Sequence, residues 1–193
     1  MKKIPVLVAI VLLVLSACKD ASQGTITIVG KPEITEVILY EHDSTFDGSL
    51  GGRPGVNALC QSSGNKPNDR NNFIGFISID STDTIGNLPM KNDFPGTVTI
   101  KSKTGKIVAN SWSELMGPPI SFSLVDQDVI AVSAVEWWSG GKNGTSPTNT
   151  CNGFTGTAST GTAGFSHMTD NTWVEIVTTY PCTNFLRILC LAY

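Results

Sequence analysis

Apolar positions along this chain fall into short runs, mostly with a period of two, and sustained helical spacing is rare. Residues 25–29 alternate polar and apolar and predict a strand. Residues 34–40 predict a second, with Val37, Ile38 and Leu39 contiguous as in a strand buried on both faces. The segment from Asp47 to Gly52 predicts a loop, because its glycines favour turns. Residues 56–62 predict a short helix, with Pro54 near its start and Gly64 just past its end. Alternation returns over residues 73–79, another predicted strand, and residues 80–93 read as polar and turn-rich. Residues 97–100 and 106–109 predict a hairpin around Thr104-Gly105. Ser111 with Glu114 three residues later is a capping box for a short helix, residues 112–116, ended by Gly117-Pro118-Pro119. Residues 120–124 and 129–135 predict a strand pair around Asp126-Gln127-Asp128, and residues 173–179 and 185–191 predict the closing strands.

Between residues 137 and 169 the pattern dissolves into Gly, Ser, Thr and Asn with a few aromatics. So long a loop inside one domain predicts a functional segment or a disordered one, and Cys151 in its middle argues for order.

The N-terminus has a different pattern. Met1, Lys2 and Lys3 precede an apolar run over residues 4–15, interrupted only by Pro5. A membrane-spanning helix needs about 20 apolar residues, so the run is too short to span. It ends in Leu15-Ser16-Ala17-Cys18, which resembles the lipobox of bacterial lipoproteins. That resemblance implies cleavage before Cys18 and lipid on its sulfur. The expected organisation is a signal peptide over residues 1–17, a lipidated tether over 18–24 and one domain over 25–193. The membrane, held through lipid on Cys18, is then a partner, and the expected location is the cell envelope, at the outer membrane or cell surface.

Composition narrows the function further. Without Lys2 and Lys3, 11 basic residues face 16 acidic ones, a net charge of −5. There is no basic run, which argues against nucleic acid as a partner. Five Cys are present; if Cys18 carries lipid, Cys60, Cys151, Cys182 and Cys190 remain. An even number in an exported chain predicts two disulfides, with three pairings open. No Cys-x-x-Cys pair and no phosphate-binding loop occurs, so no cofactor and no structural metal is expected.

The residues from Ile34 to Tyr193 resemble a known family in their order. Asp47-Gly48-Ser49-Leu50-Gly51-Gly52, then Gly55, Ala58 and Cys60, are similar to the loop and first helix of endostatin. They are closer still to an endostatin-like domain of unknown function common in spirochaete lipoproteins. Asn65-Lys66-Pro67 with Phe73-Ile74-Gly75-Phe76, Ser111-Trp112-Ser113-Glu114-Leu115, Trp138-Ser139-Gly140 and Thr150-Cys151-Asn152-Gly153-Phe154 continue the resemblance. It implies an α+β, C-type-lectin-like (endostatin-like) fold with short helices, mixed sheets and a long Gly/Ser/Thr/Asn-rich loop. It also implies nested disulfides, Cys60 with Cys190 and Cys151 with Cys182. The calcium-binding triplets of sugar-binding C-type lectins are missing: Ser146-Pro147-Thr148 has no carboxylate beside the proline, and only the Trp of Trp173-Val174-Glu175 matches. Endostatin's zinc-binding histidines and heparin-binding arginines have no counterparts either.

Candidate chemistry is sparse. Asp126 and Asp128 form an Asp-x-Asp pair that can share calcium or simply turn a hairpin. Asp80 and Asp83 read as turn residues rather than a catalytic pair. Ser166-His167 lacks the Gly-x-Ser-x-Gly elbow of a hydrolase, so no enzyme is expected. Trp137 and Trp138 face opposite sides of a strand. Either one is core and the other a binding anchor for sugar or protein, or both are buried. Asn143, Asn149 and Asn152 are placed to hydrogen-bond a ligand or to satisfy their own loop. The expected function is non-enzymatic binding of a host matrix or surface protein through the long loop. Calcium-independent glycan binding and a structural envelope role without soluble ligand are the alternatives.

Overall fold

The contiguous apolar run Val37–Tyr40 is buried on both faces and forms the middle of a sheet rather than an edge. The structure, a computed structural model, describes residues 33–142 and 149–193. The expected strand at residues 25–29 and the signal peptide and tether lie outside the described residues. β1 spans Glu36–Phe46, longer than its apolar run. β9, Leu186–Ala192, pairs with it antiparallel from Ile38↔Ala192 to Phe46↔Leu186, with a bulge between Glu41 and Thr45. On its other side β1 pairs in parallel with β3, Thr99–Ser102. β3 forms a hairpin with β4, Ile107–Ala109, around the expected Thr104-Gly105 turn.

β9 carries two neighbours on its far side. β2, Phe73–Gly75, pairs antiparallel with its end, and β5, Glu136–Trp138, joins in parallel at Trp137↔Arg187. β7, Ala163–Phe165, then pairs with β5. The result is a curled mixed sheet in the order β4-β3-β1-β9-β5-β7. β6, Thr160–Gly161, and β8, Tyr180–Pro181, form a separate two-stranded ribbon. With three short helices the described fold is α+β.

α1, Gly52–Ser62, starts earlier than expected and lies on β2. Arg53, in its first turn, binds both oxygens of Asp83 and donates to the carbonyls of Gly75 and Ile77. α2, Leu88–Lys91, follows a 3-10 turn capped by Thr84 inside a segment that had read as turns alone. α3, Trp112–Met116, has the expected bounds: Ser111 Oγ accepts from Glu114 N at 3.1 Å. Glu114 reaches back to Asn110 N, one residue before the cap.

Two expectations fail. Residues 120–135 are turns, not paired strands; Asp126 Oδ2 accepts from Ser123 N and Oγ, and apolar Ile120, Leu124, Val129 and Ile130 still reach the core. Residues 173–179 are not a strand either. A 3-10 turn, Asn171–Trp173, capped by the Asp170 carboxylate, leads into irregular chain. Local capping there satisfies the backbone that a ladder would otherwise satisfy.

Adjacent Trp residues divide the core. Trp137 packs with Phe76, Trp112, Trp173, Val37 and Leu39 on one face of the sheet. Trp138 packs on the other with Leu50, Val56, Phe154 and Ile188. The alternation of a strand explains the split.

Candidate functional site

The described part of the long Gly/Ser/Thr/Asn segment is structured, because one covalent tie, Cys151–Cys182, and a dense set of side-chain caps replace the missing apolar pattern. Cys60–Cys190 joins α1 to β9, and Cys151–Cys182 joins the middle of the segment to the residue after β8. This is the nested pairing that the endostatin-like resemblance implies. Both disulfides are fully buried. Cys151–Cys182 is wedged between Gly48 and Gly161: a Cβ on Gly48 would sit 2.4 Å from Cys151 Sγ, and one on Gly161 2.7 Å from it.

Cys151 opens an unusual turn. Cys151, Asn152, Gly153 and Phe154 all have positive φ, 50°, 54°, 70° and 57°. Left-handed backbone is unfavourable for residues with a Cβ, at about 1–2 kcal/mol each. The turn is held from outside. Thr150 Oγ accepts from Gly153 N at 3.1 Å, and Thr150 O accepts from Phe154 N at 2.6 Å. Phe154 is buried edge-on against Trp138, and the disulfide fixes Cys151.

Beside this turn lies a cleft of about 350 Å³. Its polar lining is Lys142, Asn149, Thr162, Asn171, Glu175 and Thr179. Val174, Ile176 and Val177 add an apolar side, and Val177 is 97% exposed. Backbone bonds set the walls: Asn149 O accepts from Thr162 N at 2.7 Å, and Ile176 N donates to Ala163 O at 2.9 Å. Glu175 Oε2 accepts from Lys142 N at 3.1 Å, which fixes a carboxylate at the rim. Among the described residues the Lys142 ammonium and the Asn171 carboxamide have no partner. The cleft therefore offers a cation, an anion, amides and a hydroxyl around an aliphatic patch, a lining suited to a polar ligand of low net charge.

The two ends of β1 meet different partners. The described chain comes in beside Glu36, where Ile38 pairs with Ala192 and Asn72 N bonds Tyr193 O. At the other end of this 11-residue strand, Trp138 Nε1 donates to Phe46 O at 2.8 Å and Gly48 N donates to Cys182 O at 2.7 Å. At roughly 3.3 Å per residue the two ends are about 35 Å apart.

The expected binding residues scatter. Trp137 and Trp138 are both 0% exposed, with their indole N–H groups bonded to Trp173 O and Phe46 O. This corrects the reading of either as a stacking anchor, because no ring face reaches solvent. Asn149 lines the cleft; Asn152 is exposed on the left-handed turn and outside the lining; Asn143 lies outside the described residues. Asp128 pairs with Lys106 at 2.9 Å and accepts from Thr104, while Asp126 caps its own turn. Among the described residues no group of three or more His, Cys, Asp or Glu is arranged to hold a metal ion. Asp80 accepts from Thr82 and from Asp83 N in an Asx turn, and the Thr82 hydroxyl is the main cause of its lowered pKa. Ser166 is buried, its hydroxyl between Val135 N and Val132 O, and His167 lies against Phe165.

Sequence reasoning missed Lys142, Thr162, Asn171, Glu175 and Thr179 as one group. One signal was available: Lys142 is the sole Lys, Arg, Asp or Glu between residues 137 and 169. No known protein family matches the chain, and no curated protein matches it. Among the described residues no helix is long and apolar enough to cross a membrane.

Proposed function

We propose that this chain is a lipid-anchored envelope lipoprotein with a C-type-lectin-like module that binds a protein ligand without catalysis. The observation that carries the reading is the polar cleft beside the Cys151–Cys182 turn. The nested disulfides and the tie from first helix to last strand support the lectin-like assignment. The Asn171 amide and the Lys142 ammonium, which have no partner among the described residues, lie with exposed Val177 in a lining that suits peptide main chain with an apolar side chain. Burial of every Trp weakens the glycan alternative, which depends on ring stacking.

The test takes the full chain, extracted from membranes in detergent. Intact mass is measured first, and lipid on Cys18 is the expected result. Binding to a panel of matrix and host-surface proteins, and to a glycan array, follows. The double variant Lys142→Ala/Asn171→Ala should weaken a protein ligand by about tenfold while thermal stability stays unchanged. An unlipidated chain overturns the anchor, and a protein ligand indifferent to the double variant overturns the cleft.

A further inference from the structure

Asn152 and Gly153 lie at the centre of the left-handed turn. Asn-Gly is the dipeptide most prone to self-modification, because glycine has no side chain to hinder its amide nitrogen as a nucleophile. In that reaction the Gly153 amide nitrogen attacks Cγ of Asn152. The new C–N bond closes a succinimide, Nδ2 leaves as ammonia, and the amide proton passes to solvent base. Water then opens the ring to Asp or, by the other C–N bond, to iso-Asp. No oxidant or reductant takes part.

Asn152 is exposed, so water and base have access. The backbone does not comply. Ring closure needs Gly153 N turned toward Cβ of Asn152, whereas the observed ψ of 52° puts that nitrogen anti to Cβ for an L-residue. The Gly153 N–H is also engaged, donating to Thr150 Oγ at 3.1 Å. Asn152 O accepts from Thr155 Oγ at 2.7 Å, which resists rotation of the same peptide group. Thr150 is buried and Cys151 is covalently fixed, so the nitrogen cannot rotate unless the turn opens.

We infer that Asn152-Gly153 is a latent self-modification site, with Thr150 as the residue that holds it unreactive. Opening the turn commits it. Iso-Asp adds a main-chain carbon and a negative charge beside buried Cys151, and the four-residue left-handed turn cannot re-form around it. The modification is then a one-way loss of the turn that follows the cleft residue Asn149.

The experiment ages the oxidised full chain in mildly alkaline buffer, beside the same chain reduced and denatured in guanidinium. Peptide mapping over residues 149–154 reads Asp and iso-Asp at position 152. Conversion in the folded chain should be slower by at least about tenfold. Thr150→Val should raise the folded rate severalfold, and Thr150→Ser, which keeps the hydroxyl, should not. Tryptophan emission confirms that each variant is folded. Equal rates in folded and denatured wild-type chain overturn the inference even if the Val variant does not fold. Equal rates in folded Thr150→Val and wild type remove Thr150 from its role.

Discussion

Replacing Arg53 with Met takes away four hydrogen bonds from one side chain. Two go to the Asp83 carboxylate at 3.0 and 2.9 Å, and two to the carbonyls of Gly75 and Ile77 at 2.6 Å each. Met keeps most of the aliphatic stem, so lost packing is small. What remains is a carboxylate whose side chain is 13% exposed, with no cation beside it, and two carbonyls without their charged donor. Breaking a buried pair by removing one partner is destabilising by about 3–5 kcal/mol. Arg53 is 20% exposed, so water reaches part of the site and the lower end, about 3 kcal/mol, applies. Urea denaturation of the oxidised chain, followed by Trp emission, reads this directly because all four Trp are buried. With a urea slope of about 2–3 kcal/mol per molar, the midpoint should fall by about 1–1.5 M. Adding Asp83→Leu removes the stranded charge and should restore about 2 kcal/mol, a coupling that a double-mutant cycle isolates. A midpoint within about 0.3 M of wild type for Arg53→Met would refute the idea that this guanidinium ties α1 to β2.

Other outcomes follow from the same structure. Gly48→Ala places a methyl against a covalently fixed sulfur and should destabilise by about 1–3 kcal/mol, seen as a lower melting temperature. Trp137→Ala and Trp138→Ala should each lose about 3–5 kcal/mol of stability, and any loss of binding should track the unfolded fraction. Burial pushes the His42 imidazole below its ordinary value of 6.5, opposed by the Asp43 carboxylate and the Leu59 carbonyl. The unfolded chain then takes up the proton first, so stability should fall as pH drops below about 6.5, and His42→Gln should flatten that limb. Lys101 and Arg70 hold Glu36 below its ordinary 4.5. Its contribution is complete above that value and lost as pH falls through the lowered one, and Glu36→Gln should remove this second, more acidic limb.

The elements legible in the sequence are those whose signals are local. The α3 bounds follow from Ser111 and Glu114, and the β3–β4 hairpin from Thr104-Gly105, because cap and turn act within a few residues. Residues 120–135 misled because their apolar spacing reflects core contact, which turns supply as well as strands do. The left-handed turn was invisible: Asn152 and Gly153 tolerate positive φ, but Cys151 and Phe154 take it only because Cys182 and Trp138 hold them. Likewise no local pattern could join Lys142 to Asn171 and Glu175, which meet only through long-range pairing. Trp137 and Trp138 looked equally suited to a surface and to a core, and the second layer of side chains settled them as core.

β9 has consequences in time as well as in space. It lies between β1 on one side and β2 and β5 on the other, so the central strand of the sheet is the last described element to be synthesised. β1 meets its main partner only after about 140 further residues have appeared, as the Ile38↔Ala192 and Phe46↔Leu186 pairs require. Until then neither face of the sheet can close, and Cys60 has no Cys190 to find. The strand order therefore ties completion of the sheet, and of the disulfide that joins α1 to it, to the appearance of the last described strand.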